Sequence, residues 1–390
     1  MQKNIKIKNK NMSKIIKAKI ENLTYKPGLS MKEIKLKEYN FSDFDINTSL
    51  ASGLIKIDNK NTIAYSKWIT PKRTRSYPFA RIYDTYTFGG KRITVIPVIK
   101  DEGFGTSNND RINFITLSWM NLTNIYVVLA WYEKAEKLAD DLITNQKFDV
   151  KYVNKKIKEI SQYQFDAHHW NNEHFIKDFV PVFKKSVSSY ENISNELSVK
   201  LHKTSDHINF LNKFIDDSNK NIINLNKFAE ITLSKSKMAA NREIVTNHRL
   251  EHLSLESEKP VFEMKNNLGG SYFLTADELI IKDKKIIITE AKNSTNGKLP
   301  GIADVKDGLF KILLFSQIKY IKIDDIDYSY KVGLKLSGNL SSSITLPNTT
   351  SKIEAFFDLE NLSKAERNLL ILLNEEATEN NYNIDIIPNK

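Results

Sequence analysis

The sequence predicts an α/β protein, α+β overall, with a mixed central sheet flanked by helices in its C-terminal part, a largely helical middle and a small β-containing N-terminal part. Three observations carry this. After Pro260, β-branched runs such as Ile286-Ile287-Ile288 and Gly-containing turns replace helical spacing. Toward the middle, apolar residues recur three or four apart (Ile208, Leu211, Phe214; Ile222, Leu225, Phe228), as packed helices require. Nearer the N-terminus, the Gly89-Gly90 turn separates Ala80 to Phe88 from Arg92 to Ile99, which read as a strand pair.

At 390 residues the chain is long enough for more than one core. Composition divides it into a basic arm (1–40), an N-terminal region (41–150), a helical region (151–239) and a C-terminal α/β domain (240–390). Lys and Arg total 58 against 47 Asp and Glu, a formal charge of +11. That balance favours an anionic partner, nucleic acid or an acidic membrane, although AT-rich coding also enriches Lys, Asn and Ile. There is no cysteine, which excludes a disulfide framework, a Cys-ligated zinc and a thiol nucleophile. Lysines interrupt the stretch from Lys3 to Lys19 too often for the apolar core of a secretory signal, so a cytoplasmic protein is expected.

Taken in order, the arm holds eleven Lys and no Arg against Glu21, Glu33 and Glu38, and reads as a solvated extension. From Lys67 to Arg92, bases alternate with aromatics: Arg73, Arg75, Arg81, Lys91 and Arg92 stand among Tyr77, Phe79, Tyr83 and Tyr86. Guanidinium forks suit phosphate and guanine, and aromatic faces stack, so these five cations are candidate DNA contacts; the bland alternative is ordinary solvated charge on a strand pair. Ile112 to Tyr132 carries no charge, but its six Ser, Thr and Asn residues would be costly in lipid. It reads as a buried core helix, which Glu133 to Lys137 continue at helical spacing.

Two further motifs stand apart. Asp166-Ala-His168-His169, with Glu173 and His174, groups imidazoles and carboxylates that suit zinc, yet it lacks the helical His spacing of zincins. A polar, helix-terminal His cluster is the commoner arrangement. Ser363-Lys-Ala-Glu366, ahead of Leu369, Leu370, Leu372 and Leu373, has the form of a capping box opening an amphipathic helix.

The chemistry concentrates between Ser271 and Phe315. Ser271 to Ile281 reads SYFLTADELII, and after a polar turn IIITEAK ends in Glu290-Ala291-Lys292. Side chains two apart on a strand share a face, so Glu290 and Lys292 point one way, and the antiparallel return brings Asp277 beside them. Two carboxylates suit Mg²⁺, a hard cation, while an ammonium beside a phosphate orients water and offsets developing charge. The E-x-K tripeptide alone is weak. The chain holds three, Glu33-Ile-Lys35 and Glu263-Met-Lys265 being the others, and only Glu290 follows a strand-borne acid. The competing explanation is an exposed hairpin with a cross-strand charge pair. Against it, Ile286-Ile287-Ile288 suggests a strand covered on both faces.

Asn293 to Gly301 then forms a polar loop, and Asp304 starts a helix with Val305, Leu309, Ile312 and Leu313 on one face. Strand with acid, turn, strand with E-x-K, loop, helix: over roughly residues 240 to 340 this order resembles the PD-(D/E)xK nuclease superfamily. The resemblance implies Asp277, Glu290 and Lys292 as catalytic residues. Asp277, Glu290 and the Ala291 carbonyl would be the metal ligands and Mg²⁺ the cofactor. Ala276 stands where the family name records Pro. Members often add an acid from upstream, for which Glu243, Glu251, Glu256 and Glu263 are the possibilities.

What the resemblance implies is a sequence-specific endonuclease of the type II restriction class, hydrolysing double-stranded DNA to leave 5′-phosphates. A homodimer and a cognate DNA methyltransferase would accompany it, and residues 41–150 would recognise DNA. The alternatives are a repair, recombination or transposon nuclease that cuts by DNA structure, a non-catalytic DNA-binding protein on the same core, and a membrane-associated interaction protein.

Overall fold

β-Branched and aromatic runs build two large sheets in the computed structural model, which describes residues 15–21, 23, 25–29, 35–71, 78–105, 108–234, 261–266, 268, 270–282, 284–323 and 326–389. The first strand, β1 (Ile15–Ile20), comes from the basic arm. Next follow β2 (Glu38–Asn40), β3 (Ser52–Lys56), β4 (Thr62–Lys67), helix α1 (Pro78–Thr85), β5 (Arg92–Pro97), the small ladder of β6 (Ile99–Asp101) and β7 (Asn109–Arg111), helix α2 (Phe114–Leu122) and β8 (Tyr126–Ala130). The N-terminal sheet has the order β2-β3-β4-β5-β8. β4, β5 and β8 run parallel. Parallel neighbours need crossovers, and α1 and α2 supply them. Every residue of β8 is buried, as a strand covered on both faces must be.

Two expectations fail in this region. Ala80 to Phe88 is not a strand: Phe79, Ile82 and Tyr83 are buried, with Tyr86 packed against them, and that spacing of three, four and seven is the helical period of α1. Nor is Ile112 to Tyr132 a single helix. It is buried throughout most of its length, but α2 stops before Asn124, which takes a left-handed φ of 51° that Asn tolerates, and the chain turns into β8. The charged residues Glu133 to Lys137 lie in β9 (Tyr132–Ala139), which pairs with β10 (Leu142–Phe148) as a largely exposed two-stranded ribbon.

The helical middle is present as α3 (Val150–Gln162), α4 (Ala167–Leu197), α5 (Thr204–Leu211) and a further helix over 225–234. Their common core is aromatic. Phe179 of α4 meets Phe228 at 5.2 Å and Phe214 at 5.8 Å between ring centroids.

The C-terminal part contains β11 (Val261–Asn266), β12 (Ser271–Thr275), β13 (Glu278–Lys282), β14 (Lys285–Asn293), α6 (Ile302–Ser316), β15 (Ile318–Ile323), β16 (Ile326–Gly338), β17 (Ile344–Leu346), α7 (Thr350–Leu359), α8 (Lys364–Asn380) and β18 (Asn383–Pro388). Their sheet runs β12-β11-β1-β15-β16-β14-β13, with β18 also on β16 and β17 on β18. The arm is therefore not a solvated extension over Ile15–Ile20. Ile16, Ala18 and Ile20 are buried while Lys17 and Lys19 point outward, a period-2 pattern that places β1 parallel to β11 and antiparallel to β15.

The two ends of that strand path, β12 and β13, are successive stretches of chain parted only by Ala276 and Asp277. One strand thus leaves one end of the path and rejoins at the other, with a corner at Asp277. Helix α6 covers the sheet with Val305, Leu309, Ile312 and Leu313 buried, as expected. It also meets the N-terminal part: Phe310 packs against Phe79 of α1, its ring tilted, at 4.7 Å between centroids, and Lys306 pairs with Asp84 at 2.6 Å.

A second tie is Glu376 on α8, fully buried, which accepts from Tyr83 (2.6 Å), from Tyr25 and from the Leu29 N–H (3.1 Å). One continuous apolar core joins both parts. Helix α8 opens with the expected Ser363–Glu366 capping box. Among the described residues, no helix is long and apolar enough to cross a membrane.

Candidate active site

Strand β14 sets the spacing of the site. Ile286, Ile288 and Glu290 are buried on one face and Lys292 follows on it, while Ile287 on the other is 43% exposed. The isoleucine run is thus not covered on both faces; that cover begins at Thr289. With Glu290 only 1% exposed, an exposed hairpin charge pair does not describe it.

β13 pairs with β14 from Glu278 opposite Thr289, and the chain turns away just before, at Asp277. There the Asp277 N–H still donates to the Thr289 carbonyl (3.1 Å), and its Oδ2 accepts the Ala291 N–H (2.9 Å). A carboxylate thus takes the place of the ladder carbonyl that the corner removes. The structure brings Asp277, Glu290, Ala291 and Lys292 together.

Helix α6 adds two groups that sequence reasoning missed. Lys292 Nζ lies 3.2 Å from Glu290 Oε1 and 2.7 Å from Asp307 Oδ2. Lys311 Nζ lies 2.6 Å from Glu290 Oε2 and 3.4 Å from the Thr275 carbonyl. Four residues of helix rise about 6 Å and two of strand about 6.6 Å, so Asp307 and Lys311 run in step with Lys292 and Glu290. The helix comes down closely because Gly308 has no side chain: a Cβ there would stand 2.8 Å from Leu334 Cδ1 and 3.3 Å from Lys292 Cγ. A signal was present in the sequence, since Lys311 is the lone charge in the apolar run LFKILLF.

Burial pushes the Glu290 carboxyl above its ordinary range; Lys311 pulls it down, Asp277 pushes it up, and Lys292 contributes least of the three. Burial works to lower Lys292, but Asp307 and Glu290 outweigh it, so its ammonium is held charged.

The remaining expected residues divide. Glu243, Glu251 and Glu256, with Arg73 and Arg75, lie outside the described residues. Glu263 stands on β11 opposite Phe273, 3.9 Å from Lys265, and makes no ion pair with the cluster.

Arg81, Lys91 and Arg92 are half-buried, and each donates to backbone carbonyls. Arg81 donates to Lys67, and Arg92 donates to Thr123 and Tyr86 while lying 5.4 Å over the Tyr86 ring. Lys91 donates to Ile160 (2.7 Å) and Ser161 (3.1 Å), closing the C-terminus of α3.

The histidines near Asp166 form no shared site. His168 meets Asn172 at 3.0 Å and His169 meets the Tyr163 hydroxyl. His174, buried, accepts the Leu129 N–H at Nε2 (3.0 Å), and its Nδ1 lies 2.6 Å from Asp178, which also binds Lys156 (3.0 Å). Burial lowers its pKa below 6.5. A histidine held neutral when folded and free to protonate when unfolded lends stability above its ordinary pKa, and that stability is lost as pH falls through the folded value. The expected slope below pH 6.5 is up to about 1.4 kcal/mol per unit. Urea midpoints at descending pH should fall in wild type and stay flatter in His174→Gln; equal slopes contradict the assignment.

No family model, curated protein or solved structure matches the chain.

Proposed function

We propose that the protein is a Mg²⁺-dependent DNA endonuclease of the type II restriction kind. The observation that carries this is the strand corner, which fixes Asp277 to the Ala291 N–H beside Glu290 and Lys292, two apart on one face of β14. The donor set fits the ion: Asp277, Glu290 and the Ala291 carbonyl are hard oxygens of the type Mg²⁺ takes. The charge balance fits too. Glu290 pairs with Lys292 and Lys311 and Asp307 pairs with Lys292, and burial raises Glu290 even with both ammonium groups near.

When bound, Mg²⁺ supplies Lewis acidity toward a phosphate and lowers the pKa of a bound water. Lys292, positioned by Asp307, places a fixed positive charge where the phosphate oxygens gain charge. Target recognition falls in this reading to the N-terminal part, where Arg73 and Arg75 remain the assigned contacts. A homodimer acting on a two-fold target, 5′-phosphate ends and a partner methyltransferase belong to the same proposal.

The test is digestion of unmethylated phage DNA by purified protein. Discrete bands with Mg²⁺ and none with EDTA are expected. Intact DNA in Mg²⁺ at every enzyme concentration overturns the proposal, and cleavage confined to branched or damaged substrates replaces it with a structure-specific nuclease.

A further inference from the structure

Lys311 is a buried cation to which the nuclease reading gives no chemical step. It is 5% exposed and lies closer to Glu290 than Lys292 does, 2.6 Å against 3.2 Å. It also takes the second Glu290 oxygen, Oε2, so both oxygens of this carboxylate have an ammonium partner. Its stem is a flexible four-carbon chain, and a second acceptor, the Thr275 carbonyl, stands 3.4 Å from its Nζ on the strand just before the corner. Asp307 is one helical turn away on the same face of α6. An ammonium that leaves Glu290 therefore has oxygen acceptors within reach.

We infer that Lys311 is the resident cation of this site: it neutralises Glu290 while no metal is bound and gives up Oε2 when a divalent cation enters. Lys311 is then a positioning residue, and metal affinity is set by competition with a tethered ammonium. The inference rests on the metal-binding part of the nuclease reading. Its consequence is that the empty site keeps its shape, since the carboxylate is never left buried without a counter-charge.

The test is calorimetric titration of Mn²⁺ into the full-length protein without DNA, comparing wild type, Lys311→Gln and Lys311→Arg. Gln keeps a donor for Glu290 but removes the charge, so Mn²⁺ should bind at least about tenfold more tightly. Arg keeps the charge and should bind no more tightly than wild type. Lys311→Met, neutral and of similar volume, gives the same comparison if the amide does not fold. Binding by a neutral variant equal to or weaker than wild type overturns the inference while leaving the metal reading intact. Binding by a neutral variant alone supports it. Absence of Mn²⁺ binding in every protein removes the metal reading itself, and the inference with it.

Discussion

A Lys292→Ala protein should bind specific DNA in Ca²⁺ as wild type does, yet cleave it in Mg²⁺ about 10²- to 10³-fold more slowly or worse. The ammonium is held by Asp307 at 2.7 Å and Glu290 at 3.2 Å, and removing it takes away a charge already oriented before the phosphate arrives. Lys292→Arg should not restore the rate. The planar guanidinium needs a different path from the strand, and Lys292 Cγ already lies 3.3 Å from where a Cβ on Gly308 would be. Single-turnover cleavage measures the rate and fluorescence anisotropy the binding. Cleavage by Lys292→Ala at the wild-type rate would end the catalytic assignment.

Glu290→Ala should lose stability by about 3–5 kcal/mol, because Lys311, 5% exposed, loses the carboxylate it pairs with at 2.6 Å. The informative comparison is the double variant Glu290→Leu with Lys311→Met. Replacing both members of a buried pair by apolar groups of similar size is often neutral or stabilising, so the double variant should recover the wild-type urea midpoint while remaining inactive in cleavage. If the single change costs under about 1 kcal/mol, the pair is not the buried one described here. If the double variant is as unstable as the single, the interior around Glu290 is not apolar enough for the exchange, contrary to its place beside Ile288 and beneath α6.

Much of the site was legible because its determinants are local. The acid before a strand, the E-x-K spacing on the next one and the helix from Asp304 are all patterns of a few residues, and the Ser363–Glu366 cap is another. What was not legible depended on distant partners. Arg81, Lys91 and Arg92 look like surface cations until the carbonyls of Lys67, Ile160 and Thr123 are seen to take their donors. Asp307 and Lys311 matter only because four residues of helix match two of strand. In β1, the lysines that make the arm so basic alternate with the three residues that carry it into the sheet.

That strand gives the protein an order of assembly in time. β1 is made before the whole N-terminal sheet, whereas its two neighbours, β11 and β15, follow only after residue 260. It must wait through the whole N-terminal sheet and the aromatic helices before it can pair, a contact of long sequence separation and so a late one to form. Until then the sheet that carries Glu290 and Lys292 is missing an interior strand. The nascent chain therefore cannot hold a finished site while most of it is still being made.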